Sequence, residues 1–81
     1  MERLIDVIVP SLGQEIESVL LVGWRQEPGA AVRAGELLFE VETDKAVFEV
    51  EAEADGVLAE VLVPAGEWVA PGAVVARIRL P

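Results

Sequence analysis

The sequence contains no cysteine and no histidine, and it also lacks tyrosine and asparagine. Without cysteine there is no disulfide framework and no thiol nucleophile, and nothing indicates an oxidising compartment. Without cysteine and histidine, a structural zinc site lacks its usual ligands and a Ser-His-Asp arrangement cannot form. The fifteen carboxylates could in principle include a general acid and base pair, but most of them alternate with apolar residues in strand-like runs, where solvated outer-face residues belong. We therefore expect neither a metal site nor catalytic residues in this chain.

Basic residues are scarce. Six lysines and arginines stand against fifteen acidic residues, which gives a formal net charge of -9 for 81 residues. Such a chain repels phosphates, so we expect neither nucleic acid nor a membrane surface as a partner. The sequence has no 18-residue apolar run, and its first residues resemble neither a signal peptide nor a transit peptide. These features predict a single small domain in the cytoplasm.

The apolar residues that are present, 53% of the chain, recur with a period of two rather than 3.6. Glycine and proline separate the alternating segments, and no window has the pattern of an amphipathic helix. Short strands at close spacing predict an all-β sandwich or barrel. The alternating segments are Ile5–Val9, Phe39–Glu42, Phe48–Glu53, Val57–Val63 and Val74–Leu80.

The chain also resembles itself after a shift of about 37 residues, which superimposes Gly29 on Gly66 and Gly35 on Gly72. A chance match in a chain rich in alanine, valine and glycine is one explanation. We prefer two similar halves related by a quasi-twofold axis. The shift carries Lys45 just past the last residue, so Lys45 and the C-terminus are predicted at opposite ends of the domain.

A hairpin is predicted around Asp44 and Lys45, because the alternating apolar residues have odd numbers before this point and even numbers after it. This register brings apolar residues together on one face, which favours it over a shifted one. The predicted inner pairs are Val41 with Phe48, Phe39 with Val50, and Leu37 with Ala52. The predicted outer pairs are Glu40 with Glu49, Leu38 with Glu51, and Glu42 with Val47.

Lys45, the only lysine, is thus predicted at the apex of a hairpin. Asp-Lys suits a type I turn but not the type I′ turn that two-residue hairpins prefer. A local rule that is broken at the only lysine indicates a functional position. An ordinary turn lysine that serves solubility is the alternative, and the residues alone do not decide between the two.

The segment Glu42-Thr43-Asp44-Lys45-Ala46 resembles the Asp-Lys-Ala signature of lipoyl domains, which belong to the acyltransferase components of 2-oxo acid dehydrogenase complexes. The resemblance extends over nearly the whole chain. It includes Val9–Gly13, Trp24 with Pro28-Gly29, Gly56–Gly72, and glycines ten residues before and eleven residues after Lys45.

The resemblance implies a flattened β-barrel of two four-stranded antiparallel sheets, with the lysine turn at one end and both termini at the other. Lys45 would carry lipoic acid as an amide, attached by a lipoate ligase or transferase. A thiamine-diphosphate-dependent 2-oxo acid decarboxylase would acylate the arm reductively. The acyltransferase core would pass the acyl group to coenzyme A, and dihydrolipoyl dehydrogenase would reoxidise the arm.

The resemblance also assigns roles to residues near the lysine. Asp44 is interpreted as a turn-former whose side chain caps the local backbone, and Ala46 as a small residue that keeps access open. Glu42 belongs either to a ligase recognition surface or to a solvated face. The loop beside the turn helps the decarboxylase to choose its own domain, unless it is a plain surface loop. The recognition candidates are Glu42, Thr43, Leu12, Gly13, Gln14 and Glu15.

Other residues are interpreted structurally. Trp24 and Trp68 are expected to pack in the core or at an edge rather than to bind a ligand. Arg77 and Arg79 alternate with apolar residues, which indicates an outer face.

Three alternatives bear on function. A biotinyl carrier domain shares the fold but presents Met-Lys-Met at its turn, whereas Asp44 and Ala46 flank the lysine here. The lipoyl-bearing protein of glycine cleavage is the second, but it is longer than this chain and matches it less well. An unmodified β-barrel interaction module, in which Lys45 is incidental, is the third.

The Asp-Lys-Ala-Val stretch and the Leu12-Gly13 loop slightly favour a complex of the pyruvate or branched-chain type. Residues 1–81 are expected to form one lipoyl domain at the N-terminal part of a longer acyltransferase.

Overall fold

Eight short strands account for the regular structure in the described part of the chain. A computed structural model describes residues 2–13 and 15–81. Its strands are β1 (Leu4–Ile8), β2 (Val19–Trp24), β3 (Ala31–Val32), β4 (Leu37–Glu42), β5 (Val47–Glu51), β6 (Gly56–Val61), β7 (Trp68–Val69) and β8 (Val74–Arg79). The described residues include no helix long and apolar enough to cross a membrane. The all-β prediction is confirmed.

The strands form two four-stranded sheets, with the orders β1-β8-β6-β3 and β5-β4-β2-β7. Every pairing within them is antiparallel. The inner faces of the sheets enclose one apolar core, which confirms the predicted two-sheet architecture. The largest fully buried side chains are Phe39, Leu21, Leu38, Leu58, Ile78, Val9, Val19, Val41 and Val75.

The predicted repeat is present as a quasi-twofold arrangement of the strands. A shift of 37 residues converts the bounds of β2, β3 and β4 into those of β6, β7 and β8. The pairings follow the same shift, since Leu20↔Glu42 in the first half corresponds to Val57↔Arg79 in the second. β5 corresponds to β1 with a shift of 43, because the β1–β2 loop has ten residues and the β5–β6 loop has four.

The predicted hairpin register is correct near the turn and wrong at its open end. Phe39 pairs with Val50 and Val41 with Phe48, but Leu37 lies opposite Glu51 rather than Ala52. A β-bulge between positions 37 and 39 causes the difference, because an extra residue on one strand shifts the pairing.

The same bulge corrects the assignment of Leu38 to the outer face opposite Glu51. Leu38 and Phe39 are adjacent in sequence, and both are fully buried. Their counterparts Val75 and Ala76 are likewise both fully buried beside the equivalent bulge on β8, in its pairing with β1. Each half therefore turns two consecutive side chains into the core.

The residues next to the two chain ends lie together. The amide of Leu80 donates to the carbonyl of Arg3 at 2.8 Å, and Arg79 is 3.4 Å from the carboxylate of Glu2. Pro81 shares a surface depression with Asp55, which follows the open end of the β4–β5 hairpin. The lysine turn closes the other end of that hairpin. The predicted separation of Lys45 from the C-terminus is therefore confirmed.

Trp24 packs as predicted. Its ring centroid lies 4.9 Å from that of Phe39, and its indole N–H donates to the carbonyl of Val63 at 2.9 Å. Arg77 and Arg79 lie on the outer face of β8, also as predicted. Arg77 forms ion pairs with Asp6 at 3.1 Å and with Glu60 at 3.5 Å.

Candidate functional site

The turn that follows β4 is closed by one side chain, Thr43. The backbone amide of Thr43 donates to the carbonyl of Ala46 at 2.8 Å. The amides of Lys45 and Ala46 donate in return to the Thr43 hydroxyl oxygen, each at 3.2 Å. The hydroxyl thus takes the place of the carbonyl that usually closes a two-residue hairpin, and it holds the backbone of Lys45 in a defined position.

The turn contains no left-handed backbone. Within the described chain, positive φ angles occur only at glycines, so neither Asp44 nor Lys45 has the φ that a type I′ turn requires. Negative φ at both positions agrees with the type I alternative. In the described part of the turn the capping hydrogen bonds come from Thr43 rather than from the Asp44 carboxylate. The interpretation of Asp44 as the capping side chain is therefore wrong.

Lys45 lies at the apex of the hairpin and is exposed, as are Asp44 and Ala46 beside it. The ion pairs found among the described residues all use arginine, so the Lys45 ammonium is held by none of their carboxylates. A solvated primary amine on a fixed backbone can enter the active site of another protein. The arrangement suits covalent attachment of an acyl group.

The β1–β2 loop lies beside this turn, in agreement with the expectation from the resemblance. Leu12, Gly13 and Glu15 share a surface depression of about 640 Å³ with Thr43–Ala46 and Phe48. The structure thus brings the recognition candidates of the loop next to those of the turn. Gln14, which was predicted with them, lies outside the described residues.

A second depression lies on the other side of the turn and contains Trp68, whose surroundings were predicted only in part. Its volume is about 460 Å³, and its lining includes Glu42, Glu17 and Trp68. Trp68 does lie on an edge strand, as predicted. However, 66% of its surface is exposed, so its side chain does not pack as a core or edge residue would.

Trp68 belongs to a row of four residues that crosses the outer face of one sheet beside the lysine turn. Val47 pairs with Glu42, Glu42 with Leu20, and Leu20 with Trp68. We call these four residues the outer row. Val47, Glu42 and Trp68 are exposed and Leu20 is half-buried. The outer row therefore presents a largely apolar surface with one carboxylate.

Arg25 was missed by the sequence analysis. The predicted contact between Glu40 and Glu49 is present, and these like charges lie directly opposite each other. The guanidinium of Arg25 pairs with Glu40 and offsets part of the repulsion. Arg25 lies fifteen residues from Glu40, so no local pattern could have paired them.

Comparison with known proteins places these features in context. A family model described as "Biotin-requiring enzyme" (Biotin_lipoyl) matches residues 5–78. The chain is 40% identical over 75 residues to the dihydrolipoyllysine-residue succinyltransferase component of the 2-oxoglutarate dehydrogenase complex of Escherichia coli K12; this match covers 93% of the chain and 18% of the relative.

A second relative is the dihydrolipoyllysine-residue acetyltransferase component of the pyruvate dehydrogenase complex of Zymomonas mobilis. It is 42% identical over 73 residues, which are 89% of this chain and 17% of the relative. The solution structure of the lipoyl domain of the 2-oxoglutarate dehydrogenase complex of Azotobacter vinelandii superimposes with a TM-score of 0.76 and 39% identity. That match covers 91% of this chain and 94% of the other.

The chain thus spans about one fifth of the length of the acyltransferase components that it matches. The first relatives belong to 2-oxoglutarate complexes, which does not support the preference for a pyruvate or branched-chain type.

Proposed function

The chain belongs to the biotin and lipoyl attachment family and is a lipoyl carrier domain, and we propose that Lys45 is the residue to which its lipoic acid is attached. The observation that carries this proposal is the position of the only lysine at the apex of a rigid hairpin. Its backbone is held by the Thr43 hydroxyl, while its side chain is exposed. An attaching enzyme therefore meets one lysine amine in this chain.

The surroundings of Lys45 fit lipoate better than biotin. Both flanking residues, Asp44 and Ala46, differ from the methionines of biotinyl turns. Lipoyl acyltransferase components among the relatives support the same choice. Amide formation removes the lysine charge, so the formal net charge of the chain becomes -9 - 1 = -10. A neutral arm then projects from an acidic domain.

The protein itself contributes presentation and recognition, because the cofactor supplies the redox and acyl-transfer chemistry. The dithiolane of bound lipoate accepts an acyl group and two electrons. Acyl loading would take place at a 2-oxo acid decarboxylase, transfer to coenzyme A at an acyltransferase core, and reoxidation at dihydrolipoyl dehydrogenase. A domain tethered to such a core would visit these sites at high effective concentration.

We propose the 2-oxoglutarate complex as the one that this domain serves. The E. coli relative and the A. vinelandii domain, both from 2-oxoglutarate complexes, support it. The identity to the pyruvate-type relative from Z. mobilis is similar, so the overall identity discriminates weakly. The decision would then rest with the few residues that a decarboxylase touches around Lys45.

Those residues would be the loop and the turn that line the depression of about 640 Å³. Leu12, Gly13 and Glu15 approach the turn from one side, and Glu42 belongs to the outer row on the other. We propose that the loop residues contribute to the choice of decarboxylase and that Glu42 contributes to recognition by the attaching enzyme. Thr43 would act through the shape of the turn.

Incubation of the chain with a lipoate ligase, lipoate and ATP tests the attachment site. Intact-mass measurement should show one lipoyl adduct, and peptide mapping should place it on Lys45. The variant Lys45→Arg keeps the charge and should fold normally but remain unmodified, because an exposed turn residue contributes little to packing. A folded wild-type chain without an adduct, or an adduct on the variant, would contradict the assignment.

A further inference from the structure

The outer row has a counterpart at the opposite end of the molecule, and the two differ most at Trp68. The quasi-twofold relation converts Val47, Glu42, Leu20 and Trp68 into Leu4, Arg79, Val57 and Ala31, which are paired in the same way. The fold is thus satisfied by an alanine at the position that Trp68 occupies. Trp68 shares this surface with Leu20 and Ile16, and an exposed apolar patch of this kind, which the framework does not require, marks an interaction site.

We propose that the indole of Trp68 is a resting surface for the dithiolane of the lipoyl group on Lys45. This inference rests on the proposed function, because it requires an arm on that lysine. Between visits to partner enzymes the arm folds back over the outer row, and its ring lies against the indole face.

The distances allow this contact. Trp68 lies two strands away from Glu42 across the outer row, which is roughly 10 Å at the usual spacing of paired strands. Glu42 precedes Lys45 by three residues. A fully extended lipoyl-lysine side chain reaches about 14 Å from its Cα, from ordinary bond lengths. The depressions on the two sides of the turn share four lining residues, Glu15, Ile16, Thr43 and Asp44, so the surface between Lys45 and Trp68 is continuous.

The chemistry of the surface selects a neutral and polarizable group. Leu20, Ile16 and Trp68 supply apolar area, whereas four acidic residues supply negative charge, namely Glu15, Glu17, Glu42 and Asp44. These carboxylates repel anions such as free lipoate or an acidic peptide. A lipoyl amide carries no charge, and its ring sulfurs make favourable contacts with aromatic rings.

The contact must also be weak, because the arm has to leave for its partners. A short flexible tether provides an effective concentration in the millimolar range, so a weak contact is occupied for part of the time. We therefore expect fast exchange between a resting and a free arm rather than a fixed position.

Nuclear magnetic resonance of the 81-residue chain, before and after lipoylation, tests the proposal. The indole N–H signal of Trp68 should shift on lipoylation, and nuclear Overhauser effects should connect the indole with the dithiolane ring. The indole N–H of Trp24 is the internal control, since it is held by Val63 and should not shift. An unchanged Trp68 signal in a chain whose mass shows the adduct would overturn the inference while leaving the proposed function intact.

Fluorescence of the variant Trp24→Phe, in which only Trp68 emits, provides a second measurement. The oxidised dithiolane should lower the emission partially, and reduction to the dithiol should restore it. An octanoyl arm on Lys45 is the matched control, because it has a similar length but no disulfide and should leave the emission unchanged. Equal loss with the octanoyl arm, or no loss with the lipoyl arm, would contradict the contact. Loss of Trp68 emission only when a decarboxylase is added would assign Trp68 to a protein interface instead.

Discussion

The two ends of this domain are built on the same framework but end differently. At one end β4 and β5 are joined by the lysine turn, with the ten-residue β1–β2 loop beside it. At the other end β8, which corresponds to β4, leads to Pro81. The β5–β6 loop, which corresponds to the β1–β2 loop, has four residues. We call these the lysine end and the terminus end. The strands, pairings and bulges correspond, so the two ends differ in the lengths of their loops and in their side chains.

The comparison separates residues that build the fold from residues that do not. Gly29 and Gly66 share a φ of 93°, and Gly35 and Gly72 share a φ of 89°, which is what a duplicated framework requires. On the outer face, by contrast, Glu42 corresponds to Arg79. Departures from the symmetry at the lysine end are therefore the places to expect function.

The largest expected effect concerns unequal filling of the core. Phe39 and its counterpart Ala76 are both fully buried. We expect Phe39→Ala to lower the free energy of unfolding by about 3–5 kcal/mol, because it leaves a cavity beside Trp24. Urea denaturation measures this loss, with the partly exposed Phe48→Ala as a control that costs less. A change below about 1 kcal/mol would contradict the view that the first half provides more of the core.

A backbone contact at the terminus end gives the second prediction. A Cβ on Gly56 would lie 2.4 Å from the carbonyl oxygen of Arg79, whereas its counterpart is Val19. We expect Gly56→Ala to cost about 1–3 kcal/mol, because β6 and β8 would have to separate. Gly23→Ala is the matched control, since a Cβ there meets nothing within 4 Å. Equal effects of the two substitutions in thermal unfolding would refute the close approach.

The lysine turn gives a smaller effect. Thr43→Val removes the hydroxyl that accepts the amides of Lys45 and Ala46. We expect a loss of about 0.5–1.5 kcal/mol and faster hydrogen exchange at those two amides, while Thr43→Ser should preserve both. The counterpart of Thr43 is Leu80, which makes this hydroxyl specific to the lysine end. Unchanged exchange in Thr43→Val would show that the hydroxyl does not hold the turn.

The smallest effect concerns surface charge. Glu40 faces Glu49, whereas its counterpart Arg77 faces Asp6 and forms an ion pair with it. Glu49→Arg should therefore raise the free energy of unfolding by roughly 0.2–1 kcal/mol at low salt, and the gain should shrink at high salt. Glu51→Arg, on the same strand but opposite Leu37, is the control. An equal gain from both variants would attribute the effect to net charge rather than to the facing pair.

Much of the framework could be predicted because its signals are local. Alternation of apolar residues identified the strands, and the parity change placed the turn at Asp44 and Lys45. The bulge could not be predicted in this way, since Leu37, Leu38 and Phe39 are all apolar and alternation does not show which two face inward. The predicted pairing of Leu37 with Ala52, beyond the bulge, was wrong for that reason.

The candidate site was likewise predictable only in part. Lys45 and its turn were predictable from the motif, and the neighbouring loop from the resemblance. The exposure of Trp68 was not, because a strand tryptophan is usually at least partly buried and only the paired row reveals its position. The pairing of Arg25 with Glu40 depends on a contact between distant residues, which a pattern along the chain does not contain.

Reductive acylation is the measurement that tests the central claim most directly. The lipoylated chain would be incubated with isotopically labelled 2-oxoglutarate and its decarboxylase, and in parallel with labelled pyruvate and the pyruvate decarboxylase component. We predict a labelled acyl group on the chain in the first mixture, absent from unlipoylated chain and from Lys45→Arg. Labelling only in the pyruvate mixture would contradict the proposed complex. A lipoylated, folded chain that is labelled by neither would contradict its role as an acyl carrier.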